Sequence, residues 1–168
     1  MKNKNDENFS KIIFITGGTK SGKSEFAEHL AKKSKEITYI ALSEKRPKDI
    51  DWKKKISKHK NRRPKSWKII ETTDLINILN IEKGPLLIDS IGGFVMESID
   101  REDKDWLKIM KSLINLLKNR SNLTIIVGEQ VGWSLVSEYK IGNTYIERIG
   151  EVQKEITKIS KDNWITIN

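Results

Sequence analysis

Eight consecutive residues, Gly17-Gly18-Thr19-Lys20-Ser21-Gly22-Lys23-Ser24, fit the pattern G-x-x-x-x-G-K-[ST] at every defined position. The pattern follows the apolar run Ile12-Ile13-Phe14-Ile15 and precedes a helical one, the context in which it marks a phosphate-binding loop. Glycines let the backbone curl so that several N–H groups point at one centre and form a concavity for anions. The following helix adds the partial positive charge of its N-terminus. Lys23 then reaches the β and γ oxygens of a nucleoside triphosphate, and the Ser24 hydroxyl is placed to ligate Mg²⁺. A glycine-rich turn with a chance lysine is the plain alternative, and the strand–loop–helix setting argues against it.

Two further residues could act with the loop. Asp89 ends the apolar strand Leu86-Leu87-Ile88, where a carboxylate can orient Mg²⁺ or its water ligands beside Ser24. An aspartate that starts a turn or caps a helix is the competing explanation. Of the two histidines, His29 lies in a helical pattern and needs no more than a helix-surface role. His59 sits in Lys58-His59-Lys60-Asn61-Arg62-Arg63-Pro64. Neighbouring cations favour the neutral, nucleophilic imidazole. The same cations, Arg63 among them, would hold a triphosphate and stabilise charge developing on an attacked phosphorus. Most histidines in basic runs are nonetheless plain solvated residues, and the run alone does not make His59 catalytic.

The elements that must position these groups alternate between strand and helix. Strands are expected at Ile12–Ile15, Ile37–Leu42, Trp67–Glu71, Leu86–Asp89, Leu123–Val127 and Trp164–Ile167. Helices are expected at Lys23–Lys33, Asp49–His59, Leu75–Leu79 and Asp105–Lys118, and Ile149, Val152, Ile156 and Ile159 mark a last one. Pro47 closes a turn, Arg63-Pro64 ends the basic helix, and Thr73 or Asp74 could cap the helix that follows. Such alternation predicts an α/β fold, a mostly parallel sheet with helices on both faces. Residues 1–10 read as a flexible tail and 11–168 as one domain, without repeats or a low-complexity linker.

At 168 residues the chain can bury one real core. No apolar run approaches the ~20 residues of a membrane-spanning helix, and the first residues do not read as a secretory signal. Cysteine is absent, which excludes a disulfide framework and thiolate metal sites and suits a cytoplasmic protein. The net charge of +9 would attract polyanions. The lysines are scattered with few aromatic residues between them, however, so nucleic acid is not the expected partner. The run from Lys53 to Lys65 is the exception.

The order of these motifs resembles the bifunctional adenosylcobinamide kinase/adenosylcobinamide-phosphate guanylyltransferase family of cobalamin biosynthesis. Thr16 through Ser24, Ala27-Glu28, Tyr39-Ile40-Ala41, the segment His59, Arg63-Pro64, Trp67 and Glu71, and Val131-Gly132-Trp133 carry the resemblance, which spans almost the whole chain from Lys11. It implies a single-domain, RecA-like phosphate-loop fold, commonly a homotrimer. It also implies phosphorylation of adenosylcobinamide, then transfer of GMP from GTP to the phosphate, giving adenosylcobinamide-GDP. By the same resemblance His59 is the residue guanylylated, with Lys23 beside it in catalysis, and Glu71 is a guanine-nucleotide contact. GTP and ATP are the expected substrates and Mg²⁺ the expected cofactor.

The chain departs from the family pattern at Ser90 through Glu97, at Glu129-Gln130, and at Ile146 and Glu151, where two basic residues are usual. Those regions are expected to shape the corrinoid site or subunit contacts. Other readings of the residues are a small-molecule phosphate-loop kinase without guanylylation and a nucleotide-gated binding module with little chemistry. A family member that keeps GTP binding but has lost part of the pathway activity is a further one.

Overall fold

The computed structural model describes residues 11–42, 63–132 and 137–167. The tail 1–10, the Pro47 turn, the helix expected at Asp49–His59, and His59 and Trp133 themselves lie outside the described residues. Six strands form one sheet: β1 (Ile12–Gly17), β2 (Thr38–Leu42), β3 (Lys68–Thr72), β4 (Leu86–Asp89), β5 (Thr124–Glu129) and β6 (Asp162–Thr166). Their order is β3-β2-β4-β5-β1-β6, and every neighbouring pair is parallel. Parallel strands covered on both faces need no polar side, which explains the unbroken apolar runs. Leu86, Leu87 and Ile88 are all fully buried, as are Ile125, Ile126 and Val127.

The helices divide unequally between the faces. Phe14, Ile40, Leu42, Ile88 and Ile126 point to a large core formed with α2 (Leu75–Ile81), α3 (Ile91–Glu97), α4 (Asp103–Lys118) and α5 (Lys140–Ile159). Ile15, Tyr39, Leu87, Ile125 and Val127 point the other way, toward Trp67 and α1 (Lys23–Ala31). There α1 offers Ala27 and Ala31, both fully buried, and small side chains let the helix that follows the phosphate loop lie close to the sheet. On α4 the residues Trp106, Met110, Leu113, Ile114 and Leu117 are buried, the 3.6-residue stripe read from the sequence. Asp74 caps α2, its carboxylate accepting from the Asn77 N–H at 3.0 Å.

Two helices differ from the sequence expectation. α5 begins at Lys140, well before Ile149, because its first turns pack only partly against the core and carry a weaker apolar stripe. α3 was not among the expected helices, and two glycines in seven residues argue against one by propensity. The glycines serve packing instead. A Cβ on Gly93 would lie 2.0 Å from the Leu42 carbonyl oxygen, and one on Gly92 would lie 2.4 Å from the Tyr145 hydroxyl. Arg148 ties α5 to the α3–α4 connection. Its buried guanidinium donates to the carbonyls of Ser98, Ile99 and Arg101 and to Asp103 Oδ1.

A pair of substitutions separates packing from propensity. Gly93→Ala, forced against backbone, lowers stability by about 1–3 kcal/mol. Gly150→Ala, exposed in the middle of α5 with open space at its Cβ, raises it by about 0.5–1 kcal/mol. Urea midpoints of the two variants should therefore move in opposite directions.

Candidate active site at the carboxyl edge of the sheet

All strands run parallel, so their carboxyl ends and the loops after them lie along one edge, where open α/β sheets bind ligands. The phosphate loop leaves β1 there. Gly17 is required by contact: a Cβ would come within 2.2 Å of Thr166 Oγ1 and 2.6 Å of Ser21 Oγ. The Ser21 and Thr166 hydroxyls share a hydrogen bond of 2.7 Å, which pins the loop to β6. Lys20 and Gly22 both take left-handed backbone, with φ of 63° and 82°. These reversals curl the loop, as expected of an anion-binding nest. α1 begins immediately, with the Phe26 N–H bonded to the Gly22 carbonyl at 2.9 Å. Lys23 folds back over the loop and donates to the Gly18 carbonyl at 2.9 Å.

Strand register places the acidic residues. Glu71 on β3, Ala41 on β2 and Asp89 on β4 form one row across the sheet. Glu71 is therefore two strands, or roughly 10 Å, from Asp89. One Asp89 oxygen accepts from Ser24 Oγ at 3.3 Å, the other from the Tyr39 hydroxyl at 2.6 Å. Burial, with Asp89 adding to it, pushes the Tyr39 phenol far above its usual range, so it acts as a donor. Arg63, the first described residue of the basic run, turns inward. Its Nε donates to Glu28 Oε1 at 3.2 Å and its guanidinium lies over the Tyr39 ring.

The pair Ser24 and Asp89 fits Mg²⁺. Adjacent ligands on an octahedral Mg²⁺ are about 2.9 Å apart, close to the spacing of these two hard oxygens. Mg²⁺ characteristically takes one or two carboxylates and completes its shell with phosphates and water. The described residues contain no cluster of three or more His, Cys, Asp or Glu side chains that would hold a metal unaided.

Glu129, at the end of β5, is a site residue that the sequence reading did not single out. It accepts from the Ser90 hydroxyl and from the Gly92 N–H. Tyr145 adjoins it, and Lys23 and Asp89 both act on it electrostatically. Burial raises the Glu129 carboxyl above the ordinary carboxylate range, against the opposing pull of the Ser90 hydrogen bond. Two sequence signals touched it: its place two residues beyond an apolar strand, and the departure from the family pattern at Glu129-Gln130. The structure sets it level with Gly17 across the β1–β5 pair. Glu151, at a position where a basic residue was expected from the resemblance, accepts from Trp106 Nε1 at 2.6 Å and so braces α4 against α5. A cleft of about 760 Å³ opens beside that contact, lined in part by Arg101, Asp103, Lys140 and Glu147, with no phosphate-loop residue among its walls.

Residues 13–168 match the family described as cobinamide kinase / cobinamide phosphate guanyltransferase. The chain belongs to that family. It is 23% identical to the bifunctional adenosylcobalamin biosynthesis protein CobU of Escherichia coli (strain K12), over 94% of this chain and 96% of the relative. It is 27% identical to the bifunctional adenosylcobalamin biosynthesis protein CobP of Pseudomonas aeruginosa, over 86% of each. Among solved structures, a prototypical ATPase from the type III secretion system of pathogenic bacteria superposes with a TM-score of 0.56 at 12% identity. That match covers 95% of this chain and 52% of the ATPase, and it shows the shared phosphate-loop fold. The expected fold class and family are both borne out.

Glu129 gives the site a pH signature. A carboxyl raised on folding binds more protons in the native than in the unfolded chain, so its contribution to stability falls as pH rises from the unfolded carboxylate value toward the folded one. Glu129→Gln should remove that component. Between pH 4 and neutrality the variant is expected to lose less, or gain more, stability than the parent, read as the change in urea midpoint.

Proposed function

We propose that the chain phosphorylates adenosylcobinamide and then transfers GMP from GTP to adenosylcobinamide phosphate, with His59 carrying the GMP between donor and acceptor. The observation that supports this most is the phosphate loop aligned with Ser24 and Asp89 at the sheet's carboxyl edge in a chain of this family. In the transfer, a neutral His59 ring nitrogen attacks the α-phosphorus of GTP. The bond to the β-phosphate breaks and pyrophosphate leaves. A phosphate oxygen of the acceptor then attacks the same phosphorus, the P–N bond breaks, and adenosylcobinamide-GDP is released. Two steps, each with a placed nucleophile, replace one direct transfer between two anions.

The loop N–H groups and Lys23 bind and orient the phosphates, and the helix that follows adds its N-terminal partial charge. Ser24 and Asp89 would hold Mg²⁺, which when bound neutralises charge on the phosphate oxygens. Glu71, at the end of an edge strand, takes the guanine-nucleotide contact implied by the resemblance. ATP and GTP are both proposed substrates. No helix among the described residues is long and apolar enough to cross a membrane. The reading extends to a homotrimer acting in the cytoplasm.

The test is incubation with Mg²⁺ and α-labelled GTP, followed by denaturation and measurement of protein-bound label. Acid-labile, alkali-stable label is expected, absent from His59→Ala and reduced about 100-fold or more in rate by Lys23→Ala. Folded, GTP-binding protein that takes up no label would leave a kinase without guanylylation.

A further inference from the structure

Arg63, Tyr39 and Asp89 form a continuous stack, and neither Arg63 nor Tyr39 enters the transfer steps proposed above. The Arg63 guanidinium carbon lies 3.4 Å from the centroid of the Tyr39 ring, well inside the ~6 Å reach of a cation–π contact. Its Nε is paired with Glu28 Oε1, and the two side chains are only 7% and 4% exposed. A cation with this burial and these two partners is fixed on both sides, by α1 and by β2. Tyr39 is 2% exposed, and its hydroxyl reaches Asp89 Oδ2 at 2.6 Å. Ser24 meets the other oxygen, Oδ1. Rotation of the Asp89 carboxylate would therefore break at least one of two hydrogen bonds, each with a donor on a different element.

The stack also has a direction along the chain. Arg63 lies four residues after His59, and its side chain ends against the helix that begins in the phosphate loop. We infer that Tyr39 is a positioning residue that sets the orientation of Asp89. Arg63, held between Glu28 and the Tyr39 ring, keeps Tyr39 in register and ties the end of the histidine-bearing segment to the metal-binding edge. Arg63 thus serves the nucleotide site through Tyr39 and not as a surface phosphate ligand. The inference rests on the reading of Ser24 and Asp89 as the pair that holds Mg²⁺.

The experiment titrates Mg²⁺ into the full chain with a fluorescent, non-hydrolysable GTP analogue, and measures binding of the same analogue in EDTA and the thermal midpoint. Tyr39→Phe removes one oxygen and little volume. It should raise the Mg²⁺ needed for half-maximal response about 10-fold, while binding in EDTA stays unchanged. Arg63→Lys keeps a charge beside Glu28 but loses the flat stack on the ring, and should shift the titration in the same direction by less. Asp89→Asn separates the two ideas. If it leaves the Mg²⁺ titration unchanged, the metal role of Asp89 fails and the inference with it. If Asp89→Asn weakens Mg²⁺ response while Tyr39→Phe and Arg63→Lys titrate like the parent, the inference alone is overturned. Should Tyr39→Phe not fold, Arg63→Lys decides by the same criterion.

Discussion

Asp89 has two oxygens, and the fold brings a different hydroxyl to each. Ser24 arrives from the first turn of α1 and Tyr39 from near the start of β2. For both to arrive, β2 must lie directly beside β4, in the register that sets Ala41 against Asp89. The phosphate loop must also leave β1 so that α1 crosses back over β5 and β4. Parallel pairing throughout puts the relevant strand ends on the same edge. The carboxylate is therefore a point at which strand order, register and the loop's exit angle are all tested at once. An error in any one of them would leave a buried tyrosine hydroxyl without its partner, at a cost of roughly 1–3 kcal/mol.

The uneven covering of the sheet serves the same end. On the large-core face α2 to α5 build stability from long apolar side chains, and α4 alone buries Trp106, Leu113 and Leu117 almost completely. On the other face α1 contacts the sheet through alanines, and the space beside it is filled by Tyr39, Trp67 and the Arg63–Glu28 pair. A buried ion pair is a poor source of net stability compared with well-packed apolar side chains. What it supplies here is geometry: a cation fixed between α1 and β2, with its flat face on an aromatic ring. The face that carries stability and the face that carries the site are thus largely separate.

How much of this was legible in the sequence depended on whether the signal was local. The phosphate loop, the six strands and the α4 stripe are encoded in short windows, and each was found with its ends right to within a few residues. The position of Asp89 at a strand end was legible for the same reason. Glu129 was not, because nothing within a few residues announces that Ser90, Gly92 and Tyr145 converge on it. α3 was missed because propensity argues against two glycines in seven residues, and the closeness of Leu42 that requires them is a tertiary fact. Arg63 was read with its basic neighbours as a phosphate-facing cation, since charge runs carry no sign of which member turns inward. Arg148 was passed over altogether, although it is the bond-richest cation described on α5.

Glu129 and Asp89 stand at the ends of adjacent strands, and on the proposed reading a triphosphate would bring several more negative charges to the same edge. Two full carboxylates beside Lys23 would largely cancel the attraction that the loop and its lysine provide. The two acids differ in their donors. Asp89 is turned to hydroxyls on the side of Ser24, where a divalent cation can share it. Glu129 is turned away into the β4–α3 junction, and burial there raises its carboxyl toward the neutral form. A raised carboxyl carries less of the negative charge that repels phosphates, while its oxygens still accept from Ser90 and Gly92 and fix that backbone next to Asp89. Burial, which elsewhere in the molecule serves stability, here adjusts the charge of the site.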